Sequence, residues 1–195
     1  MTDAQPIPEP PVETKPAVMV EQVAELGDDD LQALCEAANA AIIEGGGFGW
    51  ITPPEIGTLA SYFRGVLLVP ERELIVGRLN GVIVASAQLV LPPRNNEAQQ
   101  HSVSLMHSFT APYARGHGIG HMVVRRAEER ARALHRYVVN LDVRETQDVA
   151  IRLFESMGYV RWGVHPAYAR VRGQTVCGLY YCKVLPRRGH PLTNG

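Results

Sequence analysis

The stretch from Pro112 to Gly120, which reads PYARGHGIG, holds the clearest chemical pattern in the chain. It follows an extended apolar run, 101–110, and it leads into an amphipathic helical run that begins near Ile119. A strand, a glycine-rich turn and a helix N-terminus together favour anion binding, because unpaired N–H groups point outwards there and the helix dipole attracts negative charge. Three glycines in five residues let the backbone approach a phosphate without interference from Cβ atoms. The stretch therefore predicts a phosphate-binding loop, with Arg115 at its mouth as an added positive charge.

No second pattern of comparable chemistry appears among the cysteines and histidines. The three cysteines, Cys35, Cys177 and Cys182, are too few and too scattered to predict a disulfide framework. His117 and His121 are four residues apart, a spacing that could hold a metal on a helix, but His117 lies in the glycine turn before the helix begins. We expect no metal.

Composition and charge exclude several broad classes. The chain has 195 residues, 46% of them hydrophobic and 20% charged, which is typical of a single globular domain. A formal net charge of −1 argues against nonspecific binding of nucleic acid. No apolar stretch is long enough to span a bilayer, and the N-terminus lacks the basic start and apolar core of a signal peptide, so we expect no membrane association and a cytoplasmic location.

The domain boundaries follow from composition. Residues 1–16 are rich in proline and poor in apolar side chains, which predicts a disordered tail. Residues 17–186 carry all the periodic segments and predict one domain, whereas 187–195 predict a flexible tail.

The periodic segments predict an α+β domain. Their order is strand, two helices, three strands, helix, strand, helix and two strands, with a helix start at Thr52 and final strands near 160–164 and 177–185. Asn80-Gly81 between two apolar runs indicates a tight hairpin. Because hairpins precede a strand–helix–strand unit, we expect a mixed, mostly antiparallel central sheet flanked by about four helices.

This element order and two motifs resemble the GNAT superfamily of N-acetyltransferases. The first motif, RGHGIG at 115–120, is similar to the R/Q-x-x-G-x-G/A acetyl-CoA signature of that superfamily. The second, LDV at 141–143 followed by AIRLFESMGY at 150–159, resembles its strand and A-I-x-L-Y-E-x-x-G-F signature. The resemblance covers 18–185 by element order and implies a GNAT fold. A closer likeness to acetyltransferases of the tabtoxin-resistance type is carried by short strings at 85–89, 112–116 and 181–185.

The resemblance also implies how acetyl-CoA would be bound. Backbone groups of Ser108, Phe109 and Thr110 would hold the pantetheine arm, and the N–H of Ser108 or Phe109 would polarise the acetyl carbonyl. The helix that begins near Gln147 and carries Phe154 would flank the pantetheine and the sulfur. The pyrophosphate would be bound by the amides of the glycine loop, namely Arg115, Gly116, His117, Gly118, Ile119 and Gly120.

The catalytic residues depart from the family pattern. Phe154 occupies the position of the family's usual tyrosine acid, and Gln147 lies near the position of its usual asparagine. Tyr168 and Tyr181 are the candidates to supply the missing proton, although a tyrosine on a half-buried strand is also a common packing residue. His107 could relay a proton through water or could be an ordinary strand residue.

The sequence thus favours an N-acetyltransferase that transfers the acetyl group of acetyl-CoA directly to a small-molecule amine in a ternary complex. Three alternatives remain open: a non-catalytic CoA-binding sensor or scaffold, a protein lysine or N-terminal acetyltransferase and, more distantly, a nucleotide-binding protein. The loops at 45–52, 92–99 and 165–175 match no particular acceptor class. We expect a monomer or a homodimer.

Overall fold

The computed structural model describes residues 15–46 and 48–186, so most of the first predicted tail and all of the second lie outside the described residues. The elements in chain order are β1 (Val18–Val23), α1 (Asp28–Ile43), α2 (Ile56–Leu68), β2 (Arg72–Leu79), β3 (Val82–Val90), β4 (Ser102–Thr110), α3 (Ile119–Ala133), β5 (Val138–Arg144), α4 (Asp148–Ser156), β6 (Val160–Val171) and β7 (Gln174–Val184). Short 3-10 turns lie at Glu97–Gln99 and Pro112–Ala114.

The strands form one sheet in the order β1-β2-β3-β4-β5-β7-β6. Every neighbouring pair is antiparallel except β4 and β5, which run parallel. The predicted hairpin at Asn80-Gly81 is confirmed, and both residues have positive φ, 51° and 87°, as a tight hairpin turn requires. The mixed, mostly antiparallel sheet with four α-helices confirms the predicted α+β GNAT fold.

Helices cover both faces of the sheet. The seven residues 83–89 of β3 are all buried, and because successive side chains on a strand point to opposite faces, both faces must be covered there. Contacts of α1 with β3 and β4, of α2 with β2, and of α3 with β1 to β4 provide this cover. None of the helices in the described ranges has the length and apolarity needed to span a membrane.

Three predicted boundaries are wrong: the start of α2, the end of β6 and the start of β7. The second helix begins at Ile56 rather than at Thr52, and Glu55 takes the N-cap position without a side-chain bond. The last two strands are longer than predicted: β6 continues through 165–171, a predicted loop, and turns at Arg172-Gly173 into β7. Pairing of β6 along β7 supplies the backbone hydrogen bonds that make this strand possible, and that pairing leaves little trace in the local sequence.

Candidate active site

The centre of the sheet opens because β4 and β5 pair over only part of their length. The parallel register ends at Ser104 opposite Asn140, although β4 continues to Thr110 and β5 to Arg144. From residue 105 onwards, the edge of β4 that faces β5 therefore has no strand partner. Its N–H and C=O groups are available to a ligand that enters the gap, as an unpaired strand edge always offers.

A bulge bends β4 at the same place. Ser86 of β3 pairs with Phe109, whereas Gln88 pairs with Met106, so β4 carries one extra residue across this interval. His107 has a φ of 49°, a left-handed conformation that is uncommon outside glycine. Bulges of this kind re-aim side chains and end strand pairing beside functional sites.

A large cavity of about 720 Å³ occupies the open gap and the adjoining helix termini. We call it the large cavity. Its walls are the end of β4, the glycine-rich turn before α3, the first turns of α4 and the C-terminal end of α1. Ten of the eleven residues predicted to bind the cofactor line it: Ser108, Phe109, Thr110, Arg115, Gly116, Gly118, Ile119, Gly120, Gln147 and Phe154. His117 does not.

The glycine-rich turn has the backbone of an anion-binding loop. Gly116 and Gly118 have φ values of 87° and 73°, a region that strongly favours glycine, and no atom outside their chain neighbours would meet a Cβ at either position. Gly118 is the N-cap of α3, so the first amides of that helix lack intrahelical acceptors. A Cβ on Gly120 would approach Leu153 at 3.4 Å and Thr110 at 3.5 Å, which places this glycine against the wall of the cavity.

Three side chains contact residues 44 and 45, which follow α1 and line the large cavity. Arg115, the predicted phosphate ligand, forms an ion pair with Glu44 at 2.5 Å. Arg144 and Gln147 each donate a hydrogen bond to the carbonyl of Gly45, at 2.8 and 2.9 Å. An incoming anion must therefore compete with Glu44 for the guanidinium of Arg115.

A second, smaller cavity of about 260 Å³ adjoins the first and shares four lining residues with it, Ser108, Gln147, Ala150 and Phe154. We call it the small cavity. It is bounded by the α1–α2 connection, the bulge of β4, the end of β5 and the second half of β6. Its polar lining includes His107, Asp142, Arg144, Tyr168 and Arg170.

Tyr168 is held in the small cavity from two sides. Its hydroxyl donates to the Asp142 carboxylate on β5. Its ring lies directly over Gly178 of β7, where a Cβ would come within 2.3 Å of the ring. Burial and the adjacent Asp142 carboxylate raise the pKa of Tyr168, so the phenol stays protonated at neutral pH.

A part-buried chain of hydrogen bonds leads to His107 and indicates its tautomer. Arg72 donates to Oε1 of Gln88 at 3.1 Å, which leaves the Gln88 amide nitrogen to donate to the Tyr62 hydroxyl at 2.9 Å. In the described part of the chain, the only acceptor within reach of the Tyr62 hydroxyl is Nδ1 of His107, at 3.2 Å. An arginine only donates, so the arrangement that gives every donor of this chain an acceptor has the Tyr62 O–H donate to Nδ1, which assigns the proton of the neutral His107 ring to Nε2. Burial, reinforced by the charge of Arg72, lowers the pKa of His107.

Tyr181 lies apart from both cavities. Its side chain is fully buried, and its hydroxyl donates to Glu155 of α4 at 2.9 Å. It lines neither cavity. Of the two predicted catalytic tyrosines, only Tyr168 lines one of the two cavities.

Sequence reasoning did not single out Asp142 and Arg144 of the small cavity, and it proposed neither Tyr62 nor Phe48 for the site. Asp142 and Arg144 are two residues apart on β5, so their side chains share a sheet face. The local sequence of a short strand does not indicate which ligand such a polar side chain contacts. Phe48, which packs against His107 with ring centroids 5.4 Å apart, lies in a glycine-rich connection without periodicity. Across residues 15–46 and 48–186 there is no group of three side chains suited to hold a metal ion.

Comparison with known proteins agrees with this geometry. Residues 46–159 match the profile of the acetyltransferase (GNAT) family. Over 130 residues the chain is 55% identical to an uncharacterized N-acetyltransferase encoded in the hisH–hisA intergenic region of Azospirillum brasilense, an alignment that covers 67% of this chain and 77% of that protein.

Solved structures share the fold at low identity. A phosphinothricin acetyltransferase from Sinorhizobium meliloti, solved in complex with acetyl-CoA, superposes with a TM-score of 0.71 at 20% identity, covering 91% of this chain and 94% of that one. A ribosomal-protein-alanine N-acetyltransferase from Brucella melitensis gives a TM-score of 0.72 at 22% identity, covering 86% and 99%.

Proposed function

The chain belongs to the acetyltransferase (GNAT) family, and from that premise we propose that it transfers the acetyl group of acetyl-CoA to the amine of a small molecule. The observation that carries this proposal is the junction of the two cavities at Ser108 and Phe154. A thioester that ends in the large cavity and an amine that enters the small cavity would meet there. Such positioning of two reactants supplies a large part of the rate of an acyl transfer.

The large cavity suits the donor. The amides at the start of α3 and the φ-positive glycines form an open cradle for the pyrophosphate, as expected of a helix N-terminus. The unpaired edge of β4, at Ser108 to Thr110, offers backbone groups to the pantetheine amides. The N–H of Ser108 or Phe109 would also stabilise the negative charge that develops on the acetyl oxygen. The acetyl-CoA complex of the Sinorhizobium meliloti enzyme supports this assignment.

The small cavity suits the amine. Its volume, about 260 Å³, lies below the roughly 300–1,000 Å³ of pockets for drug-sized ligands, which favours a small acceptor over a protein segment. The likeness to enzymes of the tabtoxin-resistance type stays a prediction within this class.

Tyr168 is the residue that we propose as the proton donor to the departing CoA thiolate. Its raised pKa keeps the phenol protonated, and Asp142 together with Gly178 fixes its ring. Rotation of the O–H bond away from Asp142 would present the proton to the sulfur, and the proton that the attacking nitrogen loses would replace it on the phenol, so that amide and free thiol form with no net change in Tyr168. Tyr181, whose hydroxyl is engaged with Glu155 outside both cavities, has no comparable position.

The proposal is tested in two steps with the full-length protein. Calorimetric titration should show saturable binding of acetyl-CoA and CoA, since both carry the pyrophosphate. Incubation with acetyl-CoA and a panel of amines should then release free thiol and yield the N-acetylated amine by mass spectrometry. Binding without thiol release from any amine would instead indicate a CoA-binding sensor, and absence of binding would reject the assignment of the large cavity.

A further inference from the structure

Arg144 is a buried cation for which the described part of the chain provides no counter-ion. The residue is 8% exposed and lines the small cavity. One of its N–H groups donates to the Gly45 carbonyl at 2.8 Å. Asp142 shares its face of β5 but accepts the Tyr168 hydroxyl, and no carboxylate oxygen of residues 15–46 or 48–186 comes within 4 Å of the Arg144 guanidinium.

A buried and unpaired charge is costly, because removal from water is not repaid by an opposite charge. Among the partly buried arginines of the described residues, Arg78 and Arg130 are paired with carboxylates, whereas Arg72 and Arg136 form no ion pair. Arg78 binds Asp30 and Glu21, and Arg130 binds Glu73. Arg144 differs from Arg72 and Arg136 because it is the most buried arginine of the described residues and because it lines a cavity, where a partner from outside the chain can reach it.

The other polar groups of the small cavity include a further cation, a hydrogen-bond donor and one acid that is already hydrogen-bonded. Arg170 adds a second cation at the exposed side, and the tautomer of His107 makes its Nε2 a hydrogen-bond donor. The one acidic side chain in the lining, Asp142, already accepts the hydrogen bond of the Tyr168 hydroxyl. Arg144 does not line the large cavity, so the phosphates of a bound CoA would not serve as its partner.

We propose that the acceptor is a small amine that also carries an anionic group, in the manner of an amino acid, with its carboxylate or equivalent acid on Arg144. The amine would then lie toward Asp142 and Tyr168, where a negative charge attracts its ammonium form, which gives one proton to water before the neutral nitrogen attacks the thioester. This inference rests on the proposed function and deepens it, because the same cavity is given a substrate class. A bidentate contact between a guanidinium and a carboxylate supplies both affinity and orientation.

The test compares amines that differ only in the carboxylate: L-alanine with ethylamine, L-leucine with isoamylamine and L-phenylalanine with phenethylamine. In the wild type we expect kcat/KM for at least one amino acid to exceed that of its partner amine by about tenfold or more. Arg144→Gln should reduce that preference to about threefold or less, mainly through KM, and Arg144→Lys should restore part of it. Arg161→Gln, on an exposed arginine of β6 outside both cavities, is the matched control and should leave the preference unchanged.

Equal kcat/KM values for the carboxylate-free amines and the amino acids would overturn the proposed substrate class. They would still agree with the proposed acetyl transfer. Should no amine release thiol, the proposed function fails, and the anion site is judged by thermal unfolding in the presence of the same amino acids. Stabilisation of the wild type but not of Arg144→Gln would then support the site. The lack of any difference between the two proteins would reject it, and the comparison within the wild type remains decisive even where Arg144→Gln folds poorly.

Discussion

The large and small cavities adjoin at Ser108 and Phe154, yet they are built from different parts of the chain. The predicted ligand groups of the large cavity are mainly backbone amides, supplied by consecutive residues of one turn and by one strand end. Those of the small cavity are side chains from β4, β5 and β6, together with the α1–α2 connection. A site of local backbone is robust to side-chain change except where glycine is obligatory, whereas a site of converging side chains depends on each of them.

The largest expected effect concerns the small cavity. Tyr168→Phe should lower kcat by about 10²- to 10⁴-fold, the usual contribution of a general acid, while the Kd of acetyl-CoA stays unchanged because Tyr168 does not line the large cavity. Steady-state kinetics and calorimetry measure the two quantities. Tyr113→Phe, at a tyrosine that is 63% exposed, is the control.

Gly178→Ala tests whether activity depends on the position of the Tyr168 ring. Its Cβ would overlap the Tyr168 ring, so the variant should lose activity although it removes no functional group. Equal rates in wild type, Tyr168→Phe and Gly178→Ala would show that the phenol takes no part in proton transfer.

The next effect concerns the large cavity. Gly118→Val places a β-branched residue at a φ of 73°, where strain of about 1–3 kcal/mol distorts the turn, and the Kd of acetyl-CoA should rise by roughly 10- to 100-fold. Gly65→Val is the matched control, because Gly65 also has open space around it but lies in α2 with no positive φ. Similar affinities in the two variants would remove the glycine turn from the binding site.

Glu44→Gln tests the competition for Arg115 and should have a smaller effect. Both partners of the ion pair are more than a third exposed, 42% and 45%, so solvent screens it and its contribution is modest. We expect the Kd of acetyl-CoA to fall by about two- to fivefold, and the gain to shrink at high salt. Weaker binding would mean that Glu44 instead holds Arg115 in its binding position.

The smallest effect is a pH dependence of stability that originates at His107. Its pKa is lowered in the folded protein by burial and by Arg72 of β2, against the opposing charge of Asp142 of β5, while Tyr62 of α2 occupies Nδ1. Below the ordinary histidine pKa of about 6.5, the unfolded chain therefore binds a proton that the folded protein does not, and stability falls as the pH drops. His107→Gln should flatten the pH profile of Tm between neutral and mildly acidic pH. An unchanged slope would show that other groups control it.

The sequence predicted the fold and the large cavity because both depend on local patterns. Asn80-Gly81, the helical periodicity and the glycine turn are each readable within a few residues, and their order matched a known family. Ten of the eleven predicted cofactor residues do line one cavity, for the same reason. The start of α2 and the length of β6 were predicted wrongly, because Glu55 caps without a side-chain bond and β6 is stabilised by a distant partner strand.

By itself, then, the sequence determined which backbone segments could bind a phosphate, since glycine and a helix start restrict conformation locally. Only the tertiary structure decided that Tyr168 and not Tyr181 faces the ligand space, that Arg72 directs the tautomer of His107 through two intervening residues, and that Arg144 is buried without a counter-ion. These properties arise where strands far apart in the chain are brought side by side, so burial and charge pairing exist only once the sheet has formed.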